Sequence, residues 1–281
     1  MKEKELNLSE KKKTIVSFSG GKDSTAMLLR MLELDYQIDE IVFADTGFEF
    51  PELYSYIKRV EKYIGRKITI LKPKKGLFKK WMYGPFTRGT RKGKPRGFPY
   101  VISPCYWTRE SKIIPLNKVQ KDADEVYIGI AYDEKERMSK TDGKLKYPLV
   151  EWKWTEQDCI DYLNKKNMFN PLYVNFDRLG CWFCPKQSEK SLYVLWKNYP
   201  QLWKKFKKIE KENLKLIGKT IKLNYSLEEL QKMFENGKVP KKLPKYECWS
   251  GCESVKKAFQ EKQCGLGLFA ELEKGEIKNA N

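Results

Sequence analysis

Histidine is absent from this chain of 281 residues. No imidazole is therefore present to act as general base, proton shuttle or metal ligand. Acid–base chemistry falls instead to the side chains of Asp, Glu, Lys, Tyr or Cys.

Long apolar runs are lacking as well. No stretch approaches the roughly 18 apolar residues of a membrane span, and residues 1–13 are mostly charged or polar. We therefore expect a cytoplasmic protein without a membrane partner. With 41% hydrophobic residues, the chain can build the core of one large domain or of a domain with an appendage.

Acidic residues are few beside basic ones, with 37 Asp and Glu against 56 Lys and Arg. The net charge of +19 favours an anionic partner, although a generally lysine-rich composition explains it equally well. Residues 72–96 contain no acid and mix cations with Phe78, Trp81, Tyr83 and Phe86. We predict a long basic loop there. It would serve either as a lid over a small nucleotide or as a groove for nucleic acid, tRNA or DNA.

Short β-favouring runs alternate with helical patterns over the first two thirds of the chain. The predicted strands are residues 14–18, 40–44, 67–71 and 125–130, and the predicted helices are 24–34, 51–64 and 155–166. This alternation predicts an α/β fold with a doubly wound, mostly parallel sheet and helices on both faces. The sequence pattern of residues 188–281 predicts a helical region with a cysteine-bearing tail. We therefore divide the chain into domains 1–187 and 188–281.

A glycine pair follows the first predicted strand, in the run Ser19-Gly20-Gly21-Lys22-Asp23-Ser24. Such a pair lets the backbone turn tightly and direct its N–H groups at an anion, and the following helix adds its positive end. Lys22 and the two serines supply further donors. An ordinary glycine-rich turn would not need these polar residues in this order, so the run predicts a phosphate-binding loop.

This run resembles the signature of the PP-loop ATP pyrophosphatases and their relatives, the phosphoadenylyl-sulfate (PAPS) reductases. Residues 45–47, Asp-Thr-Gly, are similar to a segment that borders the nucleotide in the PAPS reductase family. Residues 129–137 resemble the family's Gly-Ile-Arg…Glu-Ser…Arg segment, but Ala131 stands at the first arginine and Lys135 at the serine. Further similar segments extend the likeness over residues 14–187.

The resemblance implies a bound adenine nucleotide, which is PAPS, adenylyl sulfate (APS) or ATP, with Mg²⁺ if it is ATP. It gives catalytic roles to Lys22 and Asp23. The implied nucleotide-binding residues are Ser19, Gly20, Gly21, Lys22, Asp23, Ser24, Asp45, Thr46, Gly47 and Arg137. Without the resemblance, Asp45 would be read as a turn former and Arg137 as a solvated surface charge.

Seven cysteines in a chain without a secretion signal favour metal ligands or redox thiols over disulfides. Cys181 and Cys184 have the Cys-x-x-Cys spacing that brings two thiolates to one metal or cluster edge. Cys105 precedes the run Lys112-x-x-Pro115-Leu116. In related sulfonucleotide reductases, a cluster-binding cysteine precedes a similar Lys-x-x-Pro-Leu run.

The resemblance therefore implies a 4Fe-4S cluster, with zinc as the alternative. The implied ligands are Cys105, Cys181 and Cys184, which would leave one iron of the cluster open. The tail offers Cys252, or alternatively Cys248, as a fourth ligand, and a site with no fourth cysteine is the other alternative. Cys159 falls within a predicted helix, and we expect it in the core. Residues 263–266 are similar to the tail that carries the nucleophile in sulfonucleotide reductases, so Cys264 is a candidate catalytic nucleophile.

Three functions remain open at this point. In PAPS-reductase-like chemistry, a thiol attacks the sulfur of a sulfonucleotide and a thiol reductant restores the enzyme. In sulfurtransferase chemistry, ATP activates tRNA or DNA by adenylation, and a cluster or a sulfur donor protein delivers sulfur. The third function is a non-catalytic nucleotide-binding module with a structural zinc. The extent of the resemblance favours the first, whereas the charge and the missing arginine favour the second.

Overall fold

Five parallel strands form one sheet in the computed structural model of this chain. The strands are Thr14–Phe18 (β1), Glu40–Ala44 (β2), Thr69–Leu71 (β3), Glu125–Ile128 (β4) and Leu145–Lys146 (β5). Their order across the sheet is β3-β2-β1-β4-β5. The structure describes residues 12–101, 105–139, 143–222 and 224–240.

Ten α-helices surround or extend this sheet within the described residues. They are Lys22–Glu33 (α1), Pro51–Ile64 (α2), Leu77–Tyr83 (α3), Tyr106–Thr108 (α4), Ile114–Gln120 (α5), Pro148–Glu151 (α6), Glu156–Lys165 (α7), Glu189–Asn198 (α8), Pro200–Ile217 (α9) and Leu227–Glu235 (α10). A π-helical turn, Arg109–Ile113, joins α4 to α5, and 3-10 helices span Tyr132–Arg137 and Pro171–Val174. As expected, Thr155 caps α7, where its side chain accepts a hydrogen bond from the backbone N–H of Asp158.

Both faces of the sheet are covered. Val16 and Phe18 of β1 belong to the main core together with α1 and α2, whereas Ile15 belongs to a second, smaller core. Leu116 and Val119 of α5 pack against that second core. Successive side chains of a strand point to opposite faces, so helices lie on both sides of the sheet. The prediction of a doubly wound α/β fold is confirmed.

The strand order creates a switch point at β1. The chain runs from β1 outward to β2 and β3, and then returns to place β4 on the other side of β1. In open parallel sheets, ligands bind at such a point, beyond the carboxyl ends of the strands. The segments that follow β1, β2 and β4 therefore meet at the expected ligand side of the sheet.

The predicted long basic loop over residues 72–96 is wrong in part, because α3 lies inside it. Leu77, Phe78 and Met82 have helical spacing and turn toward the core. The ring of Phe78 packs against those of Phe48 and Phe98, with centroids 4.6 and 5.0 Å away. This apolar side outweighs the lysines of the same segment. Two strand limits also differ, since β3 begins at Thr69 and β4 ends at Ile128.

Helices α8, α9 and α10 form the described part of the C-terminal region. Trp203, Phe206 and Phe234 belong to the same continuous core as β1 and β2. Cys159 is fully buried in that core, as expected. No helix of the described residues has the length and apolar character of a membrane span.

Candidate nucleotide and thiol site

The predicted phosphate loop lies between the carboxyl end of β1 and the start of α1. The hydroxyl of Ser24 accepts a hydrogen bond from the backbone N–H of Ser19 at 3.1 Å and lies 2.9 Å from the Ser19 hydroxyl. From the other side, the Asn170 amide donates to the carbonyl of Gly20 at 2.8 Å. These bonds hold a tight turn at the positive end of a twelve-residue helix, a geometry suited to an anion.

Two glycines allow this turn to form. Gly20 has φ +71°, and a β-carbon there would lie 2.6 Å from Cδ1 of Leu53. Gly129 follows β4, and its β-carbon would lie 2.7 Å from both Cα and N of Ser24. The backbone beyond β4 thus passes directly against the first turn of α1. Only a residue without a side chain permits such an approach.

Three carboxylates gather beside the loop. One ligand oxygen from each of Asp23, Glu134 and Glu156 lies within 4.8 Å of the others. The ammonium of Lys22 bonds Glu156 at 2.6 Å and Asp23 at 3.2 Å, and it is almost completely buried. The other oxygen of Asp23, Oδ1, is buried and has no hydrogen-bond partner. Burial raises the pKa of Asp23 to about 6 against the opposing effect of Lys22.

Glu134 and Glu156 are absent from the predicted site. Glu134 falls within residues 129–137, which resemble a family segment, and Glu156 follows the predicted cap residue Thr155. Arg137 ends the same 3-10 helix as Glu134 and forms an ion pair with it, while most of its side chain is exposed. Of these two residues, Glu134 lies in the carboxylate group beside the loop, and Arg137 is linked to that group through Glu134.

The Asp45-Thr46-Gly47 turn follows β2, next to the phosphate loop in the sheet. Oδ1 of Asp45 accepts hydrogen bonds from the Gly47 backbone N–H at 2.7 Å and from the Tyr54 hydroxyl at 2.8 Å. Gly47 has φ +75°, which favours glycine at this position. Asp45 therefore acts as a turn former here.

The segments that carry three of the predicted thiols meet at this turn. The Cys181 thiol lies 3.3 Å from Oγ1 of Thr46 and donates to it. The backbone N–H of Trp182 donates to the carbonyl of Phe48 at 3.0 Å, and Cys184 follows two residues later. From the Cys105 segment, the indole of Trp107 donates to the carbonyl of Thr46 at 3.1 Å. The turn after β2 thus connects the Cys105 and Cys181–Cys184 segments.

A partly buried ion pair lies beside Cys181. The ammonium of Lys112 is 3.1 Å from Oε1 of Glu49, whose side chain is almost inaccessible. Burial alone would lower the pKa of Lys112, but Glu49, Cys181 and Asp45 raise it above its usual value. Burial raises the pKa of the Cys181 thiol, against the effect of Lys112. Lys112 thus supplies a permanent cation next to this thiol.

Comparison with known proteins gives the family. Residues 13–187 match the phosphoadenosine phosphosulfate reductase domain. The chain belongs to this family. The matched residues cover more than half of the chain and contain the loop, the turn after β2 and the Cys181–Cys184 pair.

Several relatives of this family member are known. Two uncharacterized proteins of Methanocaldococcus jannaschii are 30% identical over 218 residues and 26% identical over 242 residues. These alignments cover 72% and 78% of this chain but 42% and 54% of the relatives, so the chain spans about half their length. Adenosine 5'-phosphosulfate reductase 1 of Bacillus subtilis is 27% identical over 169 residues, covering 55% of this chain and 67% of that protein. A solved PAPS reductase of Candida auris has 16% identity and a TM-score of 0.43, over 60% of this chain and 81% of that one.

Carboxylates, rather than thiols, form the candidate metal ligand set in the described part of this protein. Among the described residues, the carboxylate group is the only set of three or more candidate ligands whose atoms lie within 4.8 Å of one another. A tetrahedral zinc with Zn–S bonds of about 2.3 Å needs thiolates about 3.8 Å apart. Cys105, Cys181 and Cys184 do not have this spacing as a trio. Cys248, Cys252 and Cys264 lie outside the described residues, so their predicted roles stay predictions.

Proposed function

We propose that this chain is an enzyme that binds an adenine nucleotide at the phosphate loop and carries out thiol- or iron–sulfur-dependent sulfur chemistry beside it. The observation that carries the proposal is the contact of Thr46 with Cys181 and Trp107 at the end of β2. It supports a site in which nucleotide and thiols lie on either side of one turn.

Each part of the site has a role in this proposal. The backbone of residues 19–24 and the Lys22 ammonium would hold phosphate or sulfate oxygens at the positive end of α1. Cys105, Cys181 and Cys184, which are all partly buried, would hold a 4Fe-4S cluster, and Lys112 lies beside Cys181. Bound there, the cluster would supply an electrophilic or redox-active iron. The Lys112 ammonium would offset the negative charge of thiolates.

Sulfonucleotide reduction is the first candidate reaction. The family match and the printed name of the Bacillus subtilis relative support it. A thiolate would attack the sulfur of APS or PAPS, which forms an S–S bond and expels the adenosine phosphate. A second thiol would then form a disulfide and release sulfite. Cys264 is the proposed attacking thiol.

An ATP-dependent reaction is the second candidate, and the carboxylate group favours it. Asp23, Glu134 and Glu156 would repel a bound sulfonucleotide, whereas their oxygens suit Mg²⁺ on the phosphates of ATP. ATP would activate an acceptor by adenylation and release pyrophosphate. Hydrosulfide from a sulfur donor, delivered from the thiol side, would then attack the activated position and expel AMP, with no change in the oxidation state of sulfur. Ala131, at the place of the family's usual arginine, removes one cation from the sulfate side.

Anaerobic purification followed by iron, zinc and sulfide analysis tests the thiol site. We expect iron with acid-labile sulfide and a brown colour, and loss of both in Cys181→Ser. The matched control is Cys159→Ser, a core cysteine away from the turn. A colourless protein loaded only with zinc, or unchanged iron in Cys181→Ser, would contradict the cluster.

Product analysis then separates the two reactions. Sulfite from APS or PAPS with a thiol reductant supports reduction, and pyrophosphate from ATP in the presence of tRNA or DNA supports the second reaction. In either case Lys22→Ala should abolish product formation. If neither product forms with any of the nucleotides, no enzyme activity of the proposed kind is present.

A further inference from the structure

Aromatic rings and arginines lie side by side on a surface formed by α3, the segment after it and α4. The Trp81 ring stacks on Tyr106 with an angle of 11° between the planes and 6.0 Å between centroids. The Arg96 guanidinium lies 4.1 Å from the Trp81 centroid, and that of Arg91 lies 4.2 Å from the centroid of Phe86. We call these five residues the aromatic–arginine platform.

The charged side chains of residues 72–96, which supply four of the five platform residues, all have one sign. Residues 72–96 contain seven Lys and three Arg and no acid. Arg88 and Arg91 are exposed to solvent, so their guanidinium groups are accessible to an anionic partner. A polyanion gains from such a surface by releasing its counterions, and unpaired bases gain from stacking on partly exposed rings and guanidinium planes.

The platform is fixed to the body of the protein. Phe78 anchors α3 in the core, and the backbone N–H of Gly97 donates to the carbonyl of Met82 at 3.0 Å. After the platform, the backbone N–H of Phe98 donates to the side chain of Asn213 on α9. This anchoring fits a permanent binding surface better than a lid that opens and closes over a mononucleotide.

The platform also borders the thiol site. Tyr106 follows Cys105 directly, and Trp107 contacts Thr46 of the turn after β2. A small cleft is lined by Trp81, Arg96, Tyr106 and Trp107, together with their neighbours. A base bound at the rim of this cleft would therefore lie close to the Cys105 segment.

We propose that the aromatic–arginine platform binds unpaired bases of single-stranded nucleic acid and presents them to the thiol site. The proposal deepens the function proposed above and rests on it, because it names the class of macromolecule that the site receives. An acidic peptide would satisfy the charge but would not use the stacked rings. RNA and DNA share the chemistry that the platform recognises, since both offer bases with a π face.

Fluorescence anisotropy with labelled single strands of RNA and DNA, each against its duplex, tests the proposal. We expect one or both single strands to bind more tightly than the duplexes and to weaken steeply with salt. Phe86→Ala should weaken binding about tenfold, which is the scale of one lost stacking contact. The double variant Arg88→Glu/Arg91→Glu should weaken it further and reduce the salt slope by about 1 to 2.

The matched control is Lys58→Glu/Lys62→Glu, which changes the net charge equally on the exposed side of α2. It should retain binding within about twofold. Equal losses in the two double variants, or equal affinity for duplex and single strand, would overturn the proposal. So would a loss of ATP or PAPS affinity in Arg88→Glu/Arg91→Glu with oligonucleotide binding intact, which is the result expected of a lid. The binding assay needs no turnover. Its outcome is therefore independent of the product assays that test the proposed function.

Discussion

At the scale of single residues, Gly129 has the strictest steric requirement near the site. A β-carbon there would lie 2.7 Å from backbone atoms of Ser24, and backbone gives way less easily than a side-chain tip. We expect Gly129→Ala to cost about 1–3 kcal/mol of stability and to weaken nucleotide binding by displacing the first turn of α1. Urea unfolding and nucleotide titration measure the two effects.

Gly143→Ala is the control for that substitution, because a β-carbon at Gly143 would meet nothing within 4 Å. It should leave both stability and nucleotide affinity close to those of the parent protein. A Gly129→Ala protein that behaves like Gly143→Ala would show that the close approach of β4 and α1 has no functional importance.

Asp23 gives a prediction about pH. Burial raises its pKa from 3.8 to about 6, so the folded protein favours the protonated carboxyl. This contribution to stability is complete below about pH 4 and is lost as the pH rises through about 6. Asp23→Asn cannot ionise. As the pH rises from about 4 to about 7, we expect its free energy of unfolding to rise by about 1–3 kcal/mol relative to that of the parent.

Urea unfolding of both proteins at about pH 4 and about pH 7 measures this gain. Asp161→Asn, which removes an exposed carboxylate of α7, is the control. If the stability difference between the parent and Asp23→Asn is the same at the two pH values, the claim that burial raises the pKa of Asp23 is contradicted.

Residues that act through local chain geometry could be predicted from the sequence, and residues that act through tertiary contact could not. Gly20 and Gly21 follow a strand and precede a helix, so their role is readable from neighbours alone. Glu134 and Glu156 lie more than 100 residues from Lys22, and only the folding of β4 and α7 around α1 brings them to it. Glu134 stands at the glutamate of the family segment that residues 129–137 resemble, but its neighbourhood does not show that it lies beside Lys22. Nothing in the neighbourhood of Glu156 distinguishes it from a solvated surface acid.

At the scale of elements, α9 and α10 are joined by one buried carboxylate. Glu210 of α9 accepts hydrogen bonds from the backbone N–H groups of Ile221 and Leu227, at 2.9 and 2.6 Å. Burial raises its pKa against the effect of these two bonds. In Glu210→Gln the amide nitrogen replaces one acceptor, which leaves a buried N–H unsatisfied. We expect a loss of about 1–3 kcal/mol of stability, measured by urea unfolding.

Glu212→Gln is the matched control on the same helix, since Glu212 bonds the hydroxyl of Tyr83 at the surface. Its unfolding midpoint should stay close to that of the parent. If Glu210→Gln and Glu212→Gln unfold at the same denaturant concentration, the buried carboxylate does not hold the start of α10.

Helix α3 shows where element prediction fails. Its apolar positions, Leu77, Phe78 and Met82, are separated by lysines and followed by a glycine- and proline-rich segment, so the local pattern favours a loop. The helix forms because Phe78 enters a ring cluster supplied by distant segments, including Phe48 and Phe183. Tertiary packing thus overrides a weak local signal. By contrast, β1, β2 and α2 have the predicted limits because their patterns are bounded by glycine, proline or charged residues.

At the scale of the whole molecule, the sheet, the thiol segments and the C-terminal helices share one core. Phe183, between Cys181 and Cys184, packs against Phe78, Phe98 and Phe206. The thiol segment is therefore held simultaneously by α3 and α9. Sequence patterns predicted a boundary near residue 187 because the family likeness ends there, and that boundary stays a prediction. The continuity of the core depends on aromatic contacts that no local pattern reveals.

The central claim is that the phosphate loop binds an adenine nucleotide through Lys22. Isothermal titration of ATP with Mg²⁺, APS and PAPS into the parent protein and Lys22→Ala tests it most directly, with Lys118→Ala on α5 as the control. We predict that at least one of the three nucleotides binds the parent, that Lys22→Ala binds it at least about tenfold more weakly, and that Lys118→Ala is unchanged. A folded parent protein that binds none of the three, or a Lys22→Ala protein that binds as tightly as the parent, would contradict the claim.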